Sequence, residues 1–339
     1  MISTPVDQLT FDQLLDEWAD VEAAVDATAG IDHWCSALDW IVPVAFGFAP
    51  RGKRLLLRST DGNGYALLGF YRRHGQILLS GIEPLWGFAS PIFGSDVAAL
   101  TDELADHLHE RSDWSLLVMA GLPPLPHRLS RTIVDGLAPL GPSLFTEGIT
   151  RRVTDLTAGH DAWLAKRSPR FRRNLRQAEV RADEAGLAIA AVDDDPKLFK
   201  RIMDIEQRSW KGGDGSGITG PEMSTMYDMM IERLRERGRL EAHIARLSID
   251  GEMTDVGYIL GGIRNRRYRG LQISFDADHA ELSIGNLLQN HQLRRLADDN
   301  LAHTYDMGMD FPYKQRWADD SERSVTLVLH RTSLPPALS

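Results

Sequence analysis

Cysteine is nearly absent: of 339 residues, only Cys35 carries a thiol. One thiol can form neither an intrachain disulfide nor a cysteine-based zinc site, and this usage fits a reducing cytoplasm. Long apolar runs are missing as well. No stretch approaches the roughly 18 apolar residues of a membrane span. The opening "MISTPVDQLTFDQLLDEWAD" is acidic and lacks the apolar core of a secretory signal. Basic charge is scarce: 38 Lys and Arg stand against 48 Asp and Glu, a formal net charge of −10. That balance argues against DNA and other bulk nucleic-acid partners, except at a local basic patch.

Signature motifs are also few. Neither a G-x-S-x-G elbow nor a Walker lysine occurs, so hydrolase and P-loop readings lack support. Gly215-Ser-Gly217-Ile-Thr-Gly220 spells G-x-G-x-x-G. It follows a helix and a loop instead of a strand, which rules out a Rossmann dinucleotide site. His107 and His109 are two residues apart on a helix-like stretch and point to different sides, so no metal is expected there.

What is present reads as a soluble globular chain, 43% hydrophobic and 25% charged, long enough for two domains. Residues 1–145 alternate helix-like segments ("FDQLLDEWADVEAAV", "DVAALTDELADHLHERS") with strand-like ones ("KRLLLRS", "YALLGFYR", "SLLVMAG"). The prolines of "AGLPPLPHRLS" mark a loop. From 146 to 339 the mixture begins again. Strand "GITRRVTDL" precedes one long basic helix, "DAWLAKRSPRFRRNLRQAEVRADEAG". Strand "LAIAAV" and helix "PKLFKRIMDIEQRSW" follow. After a Gly-rich loop come helix "EMSTMYDMMIERLRERG" and three strands, "LEAHIARLSI", "MTDVGYILGGI" and "YRGLQISFD". A helix from Ser283, strand "HTYDMGM" and strand "RSVTLVLH" close the chain. Met223, Met226, Tyr227, Met230, Ile231 and Leu234 recur at helical spacing, which favours core packing over a soft binding face.

Two basic clusters interrupt the acidic background. "AKRSPRFRRNLRQ" carries Lys166, Arg167, Arg170, Arg172, Arg173 and Arg176 without an acid; "RNRRYRG" at 264–270 reads as a hairpin turn. Either they dock an anion or they are solvated faces. "ELSIGNLLQNHQLRR" raises a related choice. A helix opening on Ser283-Ile284-Gly285-Asn286 just after a strand is either an ordinary capped helix or an amide end that holds phosphate.

The segments "FRRNLRQAEVRADEAG", "RSWKGGDGSG", "SFDADHAELSIGNLLQNHQLRRL" and "YDMGMDFPYKQRW", in that order, resemble the CelD-like branch of the GNAT acyltransferase superfamily, which is related to the Fem peptidoglycan-bridge transferases. The resemblance covers about residues 160–317 and, more weakly, a degenerate GNAT-like domain at 1–145. It implies two tandem GNAT-like α/β (α+β) domains, each a mixed, largely antiparallel sheet flanked by helices. It also implies that a strand splays from its neighbour to hold the pantetheine arm of acyl-CoA, with acetyl-CoA as the simplest donor. The pyrophosphate would then meet the amides of Ile284, Gly285 and Asn286, with Ser283 as cap and Arg172, Arg173 and Lys314 as phosphate partners. The relatives carry Ser-Pro-Gly where this chain has Ser-Ile-Gly, and the R/Q-x-x-G-x-G/A loop of simpler GNAT enzymes is absent.

Acyl transfer to an amine needs a base and an acid. Asp306 in "TYDMG" and Asp276 in "SFDAD", each at a strand end, are the base candidates, with a turn or cap carboxylate as the alternative. Tyr313 in "PYK" is the candidate acid. Glu206, Trp210 and Lys211, beside the glycine loop, are candidate acceptor-site residues, with the glycines as a lid. Three readings follow. The first is an N-acyltransferase acting on a small molecule or amino sugar in envelope or polysaccharide metabolism. The second is an aminoacyl-tRNA-dependent amide-forming transferase. The third is a catalytically silent GNAT-fold module. None calls for a metal, and the sequence does not set the oligomeric state.

Overall fold

The computed structural model describes residues 7–209, 211 and 217–331. They divide into two compact units, 7–149 together with 323–331, and 150–322. The closing strand therefore groups with the first unit, whereas the sequence reading ran the second domain on to 339. Trp210 and residues 212–216, which include the expected lid glycines, lie outside the described residues. Among the described residues, no helix is long and apolar enough to cross a membrane.

The first unit opens with β1 (Asp7–Leu9), α1 (Phe11–Asp16), α2 (Trp18–Ala27) and α3 (Leu38–Phe48). It continues through β2 (Arg54–Arg58), β3 (Gly64–Arg73), β4 (Gln76–Gly81), β5 (Ile92–Gly94), α4 (Val97–His109), β6 (Leu116–Leu122) and α5 (Arg128–Leu137). Its sheet runs β1-β2-β3-β4-β6, then the strand Asp320–His330, with β5 on β3. β4 and β6 are parallel and meet only at Leu78↔Leu116, Leu79↔Leu117 and Ser80↔Val118. Beyond these pairs the chain folds back on itself. The Glu83 carboxylate collects the amides of Trp86, Gly87, Phe88 and Ala89 at 2.5–3.3 Å. That loop lies so close to β6 that a methyl group at Gly121 would come within 2.5 Å of the Ala89 carbonyl.

β7 (Ser143–Asp155) crosses the division between units. The second unit then contains α6 (His160–Ala165), α7 (Pro169–Glu184), β8 (Ala188–Ala191), α8 (Leu198–Arg208) and α9 (Pro221–Glu236). After these come β9 (Leu240–Ile249), β10 (Glu252–Arg264), β11 (Arg267–Phe275), α10 (Ile284–Asp298) and β12 (Thr304–Met309); β13, the strand Asp320–His330, belongs from residue 323 to the first unit. The sheet order is β7-β12-β11-β10-β9-β8. Only β11 and β12 are parallel; the other pairs are antiparallel. The β10–β11 hairpin turns on Asn265 and Arg266, both at positive φ (48° and 59°), as a two-residue type I′ turn requires.

The single basic helix expected from the sequence is two helices. Ser168 accepts the Phe171 amide at 3.2 Å and Pro169 takes the first helical position, a local start signal that separates α7 from α6. α9 buries Met226, Tyr227, Met230, Ile231 and Leu234. One core cluster joins Trp163, Leu175, Tyr268, Leu293, Tyr305 and Trp317, and a second joins Ala245, Val256, Ile259, Ile284 and Leu288. Both units are thus mixed α/β, built on sheets flanked by helices, and both repeat one pattern: an antiparallel hairpin, a helix, then a parallel strand paired over three residues.

Candidate functional site

β11 and β12 pair at Arg267↔Thr304, Tyr268↔Tyr305 and Arg269↔Asp306, and then separate. Two local causes are visible. Gly308, at φ 74°, sits where β12 slips register against β7, and that bulge turns the strand away. Opposite it, Gly270 leaves room for Tyr305: a methyl group there would come within 3.0 Å of the ring. The gap between the strands is a narrow cleft of about 60 Å³ bordered by Gly270–Ile273, Gln289, Tyr305, Met307, Tyr313 and Lys314. The carbonyls that lost their ladder partners are engaged by side chains. Lys211 Nζ donates to Ile273 O at 2.6 Å, and the Tyr227 hydroxyl donates to Leu271 O at 3.1 Å. On the other strand, Lys314 Nζ donates to Met307 O and Met309 O, at 2.5 and 3.0 Å.

β11 leads through a short 3-10 segment, Ala277–Leu282, to the amino end of α10. Ser283 adopts the left-handed conformation (φ 58°), and its side chain makes no cap hydrogen bond, contrary to the expected capping role. The first-turn amides therefore lack a hydroxyl acceptor. The Asn286 amide donates to Ser283 O at 2.9 Å, so it is engaged within the turn and not turned outward as the sequence reading expected. Those of Ile284 and Gly285 are left, as first-turn amides are, without an intrahelical acceptor and at the positive end of the helix dipole. The Ile284 side chain is fully buried in the core and fixes the turn. Asn286 contributes through its side chain, because Oδ1 accepts from Arg316 Nη2 at 3.1 Å and holds that cation beside the amide end. Arg316 escaped the sequence reading because nothing local ties it to residue 286.

Asp306 is fully buried, and one of its oxygens receives Arg151, Arg267 and Arg269 at 2.8, 2.7 and 2.8 Å. The other oxygen accepts the Gly308 amide at 2.8 Å. Burial alone would raise its pKa, yet the three guanidiniums outweigh that and hold it far below the usual carboxylate range. A carboxylate so engaged does not suit the proton-accepting role expected from the sequence; it fixes the end of β12. Asp276 caps the turn that follows β11. It accepts the Asp278 amide at 3.1 Å and pairs with Arg208 at 2.6 Å.

The basic clusters are largely spent within the fold. Arg267 and Arg269 serve Asp306, while Arg266 donates to Asn300 and His303. Arg167 pairs with Asp319 and donates to Ala318 O, and Arg172 donates to the carbonyls of Ala165 and Arg167 at 2.8 and 2.9 Å. Arg172 is thus a clasp on α6, whereas Lys166, Arg170, Arg173 and Arg176 stay exposed.

Under α8 lies a second polar group. Glu206, fully buried, accepts from the Tyr258 hydroxyl at 2.5 Å and from Ser209 and Ser274 at 3.0 and 3.3 Å. Gly217 packs against it, since a methyl group there would come within 3.1 Å of the carboxylate. The structure brings Lys211, Tyr313 and Lys314 to the cleft and puts Glu206 beneath it. Among the described residues, no group of three or more His, Cys, Asp or Glu could hold a metal ion.

No curated protein matches this sequence. Residues 169–315 match the model of the acetyltransferase (GNAT) domain family. Solved structures share the fold at low identity. A conserved protein of unknown function from Bacteroides thetaiotaomicron is 11% identical, covering 96% of this chain and 99% of its own, with a TM-score of 0.63. FemX is 13% identical, with 95% and 97% coverage and a TM-score of 0.62. A tandem GNAT protein from the clavulanic acid biosynthesis pathway is 12% identical, with 97% and 99% coverage and a TM-score of 0.52. The matched segment, 169–315, holds the splayed strands and the amide end of α10, and the protein is an acyltransferase.

Proposed function

We propose that the protein is an N-acyltransferase that takes an acyl group, acetyl in the simplest case, from acyl-CoA and passes it to the amine of a small molecule or amino sugar. The observation that carries this reading is the splayed β11–β12 cleft, bordered by Gln289 of α10, with Arg316, two residues after Lys314, reaching Asn286 at the amide end of that helix. The cleft is narrow and edged by backbone carbonyls, which suits an amide-bearing arm such as pantetheine. The Ile284 and Gly285 amides, with Arg316 beside them, suit a pyrophosphate. Lys211 already satisfies the carbonyl of Ile273, so an entering arm would exchange one of its own N–H groups for that donor. The acceptor amine would approach from the side of α8, past Lys211, with Glu206 holding the floor through Tyr258 and Ser274. Tyr313, half exposed and stacked on Phe311, would cover the arm at the cleft mouth.

A second reading, an aminoacyl-tRNA-dependent transferase, draws on Lys166, at the end of α6, and on Arg170, Arg173 and Arg176, which stay exposed along α7 at three-residue spacing. Coenzyme A needs fewer cations than that, and the chain's net charge of −10 opposes a large polyanion elsewhere on its surface. We therefore favour acyl-CoA. The test is release of free CoA from acetyl-CoA across a panel of amino sugars and amino acids, with alanyl-tRNA as the parallel donor. Amine-dependent release supports the first reading. Transfer from the tRNA alone overturns it.

A further inference from the structure

We propose that Lys314 carries the proton through acyl transfer. Its neutral amine takes a proton from the attacking nitrogen and, as an ammonium, returns it to the departing sulfur. This rests on the acyl-CoA reading above.

The first ground is the inventory of the cleft. Among the described residues that border it, the ionisable side chains are Tyr305, Tyr313 and Lys314. Burial pushes both tyrosine hydroxyls upward, away from neutral pH. The nearby carboxylates are committed elsewhere: Asp306 to three arginines, Asp276 to Arg208 and a turn amide, and Glu206 to a tyrosine and two serines. None of the three borders the cleft. Lys314 is the remaining bordering group that can exchange a proton under ordinary conditions.

The second ground is how the amine is held. Nζ donates to Met307 O and Met309 O. A neutral amine has two N–H bonds, so those two carbonyls satisfy it completely. Its third tetrahedral position carries either a lone pair or the transferable proton. The same anchorage therefore serves both forms, and the atom need not move between the two transfers.

The third ground is the surrounding charge. Arg269 of β11 converges with Lys314 on Gly308: a methyl group there would lie 3.8 Å from Nζ and 3.9 Å from the guanidinium. Lys211, from the segment after α8, adds a second like charge. Asp306 of β12 and Asp310 beyond it act in the opposite sense. The ring faces of Phe311 and Tyr313, 5.0 and 5.8 Å from Nζ, also favour the ammonium. Burial and the cations prevail and lower the amine from 10.5 to about 8. A free thiol ionises at about 8.5, so the proton moves between this amine and a thiolate with little bias.

The bonds balance. A C–N bond forms to the acyl carbon, the C–S bond breaks with its electron pair on sulfur, and one proton passes from nitrogen to Nζ to sulfur. Lys314 ends the cycle as it began.

The closing experiment needs no acceptor. Wild-type protein is labelled with trace acetic anhydride from pH 6 to 11, with and without coenzyme A, and Lys314 and the exposed Lys166 are quantified by peptide mass spectrometry. Lys314 should reach half reactivity near pH 8, with coenzyme A protecting Lys314 and leaving the labelling of Lys166 unchanged. A midpoint above 10 at Lys314, with protection intact, overturns the proton role and leaves the donor reading standing. No protection, and no shift of the melting temperature by coenzyme A, overturns the donor reading itself. A second arm uses Lys314→Arg, which keeps charge and donors but cannot become neutral. It should bind acetyl-CoA like wild type and release CoA at least 100-fold more slowly; undiminished release overturns the proposal.

Discussion

Replacing Asp306 by asparagine separates a structural carboxylate from a catalytic one. Asn keeps the shape and one acceptor for the Gly308 amide, but turns an N–H2 toward Arg151, Arg267 and Arg269. Arg151 and Arg267 retain Glu322, at 2.8 and 2.7 Å, whereas Arg269, only 2% exposed, loses this carboxylate in a site that excludes water. Breaking a buried ion pair from one side costs about 3–5 kcal/mol. At roughly 2–4 °C per kcal/mol for a unit of this size, the melting temperature should fall by about 6–20 °C. The sign with pH follows from the lowered carboxyl. Stability supplied by Asp306 is complete above the unfolded carboxylate value of 3.8 and is lost only as pH falls below it toward the folded one. The deficit should therefore be equal at pH 5 and pH 7. Scanning calorimetry of both proteins at the two pH values is the assay. A melting temperature within about 2 °C of wild type, together with a 100-fold loss of turnover, would refute this reasoning and return Asp306 to the role of base.

Three further outcomes are expected. Arg316→Ala should weaken coenzyme A binding by about 1 kcal/mol, roughly fivefold, with no change for a pantetheine thioester that lacks the pyrophosphate; calorimetric titration reads both. Gly270→Val should push into Tyr305 and close the cleft, so acetyl-CoA binding should weaken at least tenfold, about 1.4 kcal/mol, while circular dichroism stays that of wild type. Lys314 should leave a signature in stability. Its folded value of about 8 lies below the ordinary 10.5, so between these pH values the unfolded chain binds a proton that the native one does not, and stability rises. The rise is on the order of 3 kcal/mol, and Lys314→Met should remove it from the urea midpoints measured at pH 8 and pH 10.

Much of the fold was legible because its signals are local. Alternating apolar residues gave β2, β3 and β9–β11, and helical spacing gave α4 and α9. α3 was not legible. All but two of its 11 residues are buried, and Pro43 lies inside it, so it shows neither an amphipathic stripe nor an unbroken run of helix formers. The break before α7 was signalled by Ser168-Pro169, but the continuous basic charge hid it. The sequence pointed to contiguous pieces, Tyr313 and Lys314 at the cleft and the opening of α10 at 283–286, though not to the bare Ser283 side chain or the engaged Asn286 amide there. It was misread where partners are distant: Arg151 reaches Asp306 across 155 residues, and no spacing rule exposes that pairing. The "RNRRYRG" cluster misled for the same reason, since the anion it meets is the protein's own carboxylate.

The most direct test of the central claim is titration of acetyl-CoA into the full chain by calorimetry over a range of salt concentrations. One site per chain is predicted, because the loop organised by Glu83 packs its backbone against Gly121 of β6 in the first unit. The log–log salt slope should correspond to no more than about three phosphates. No binding of acetyl-CoA, with alanyl-tRNA bound at a slope implying five or more phosphates, would contradict the account.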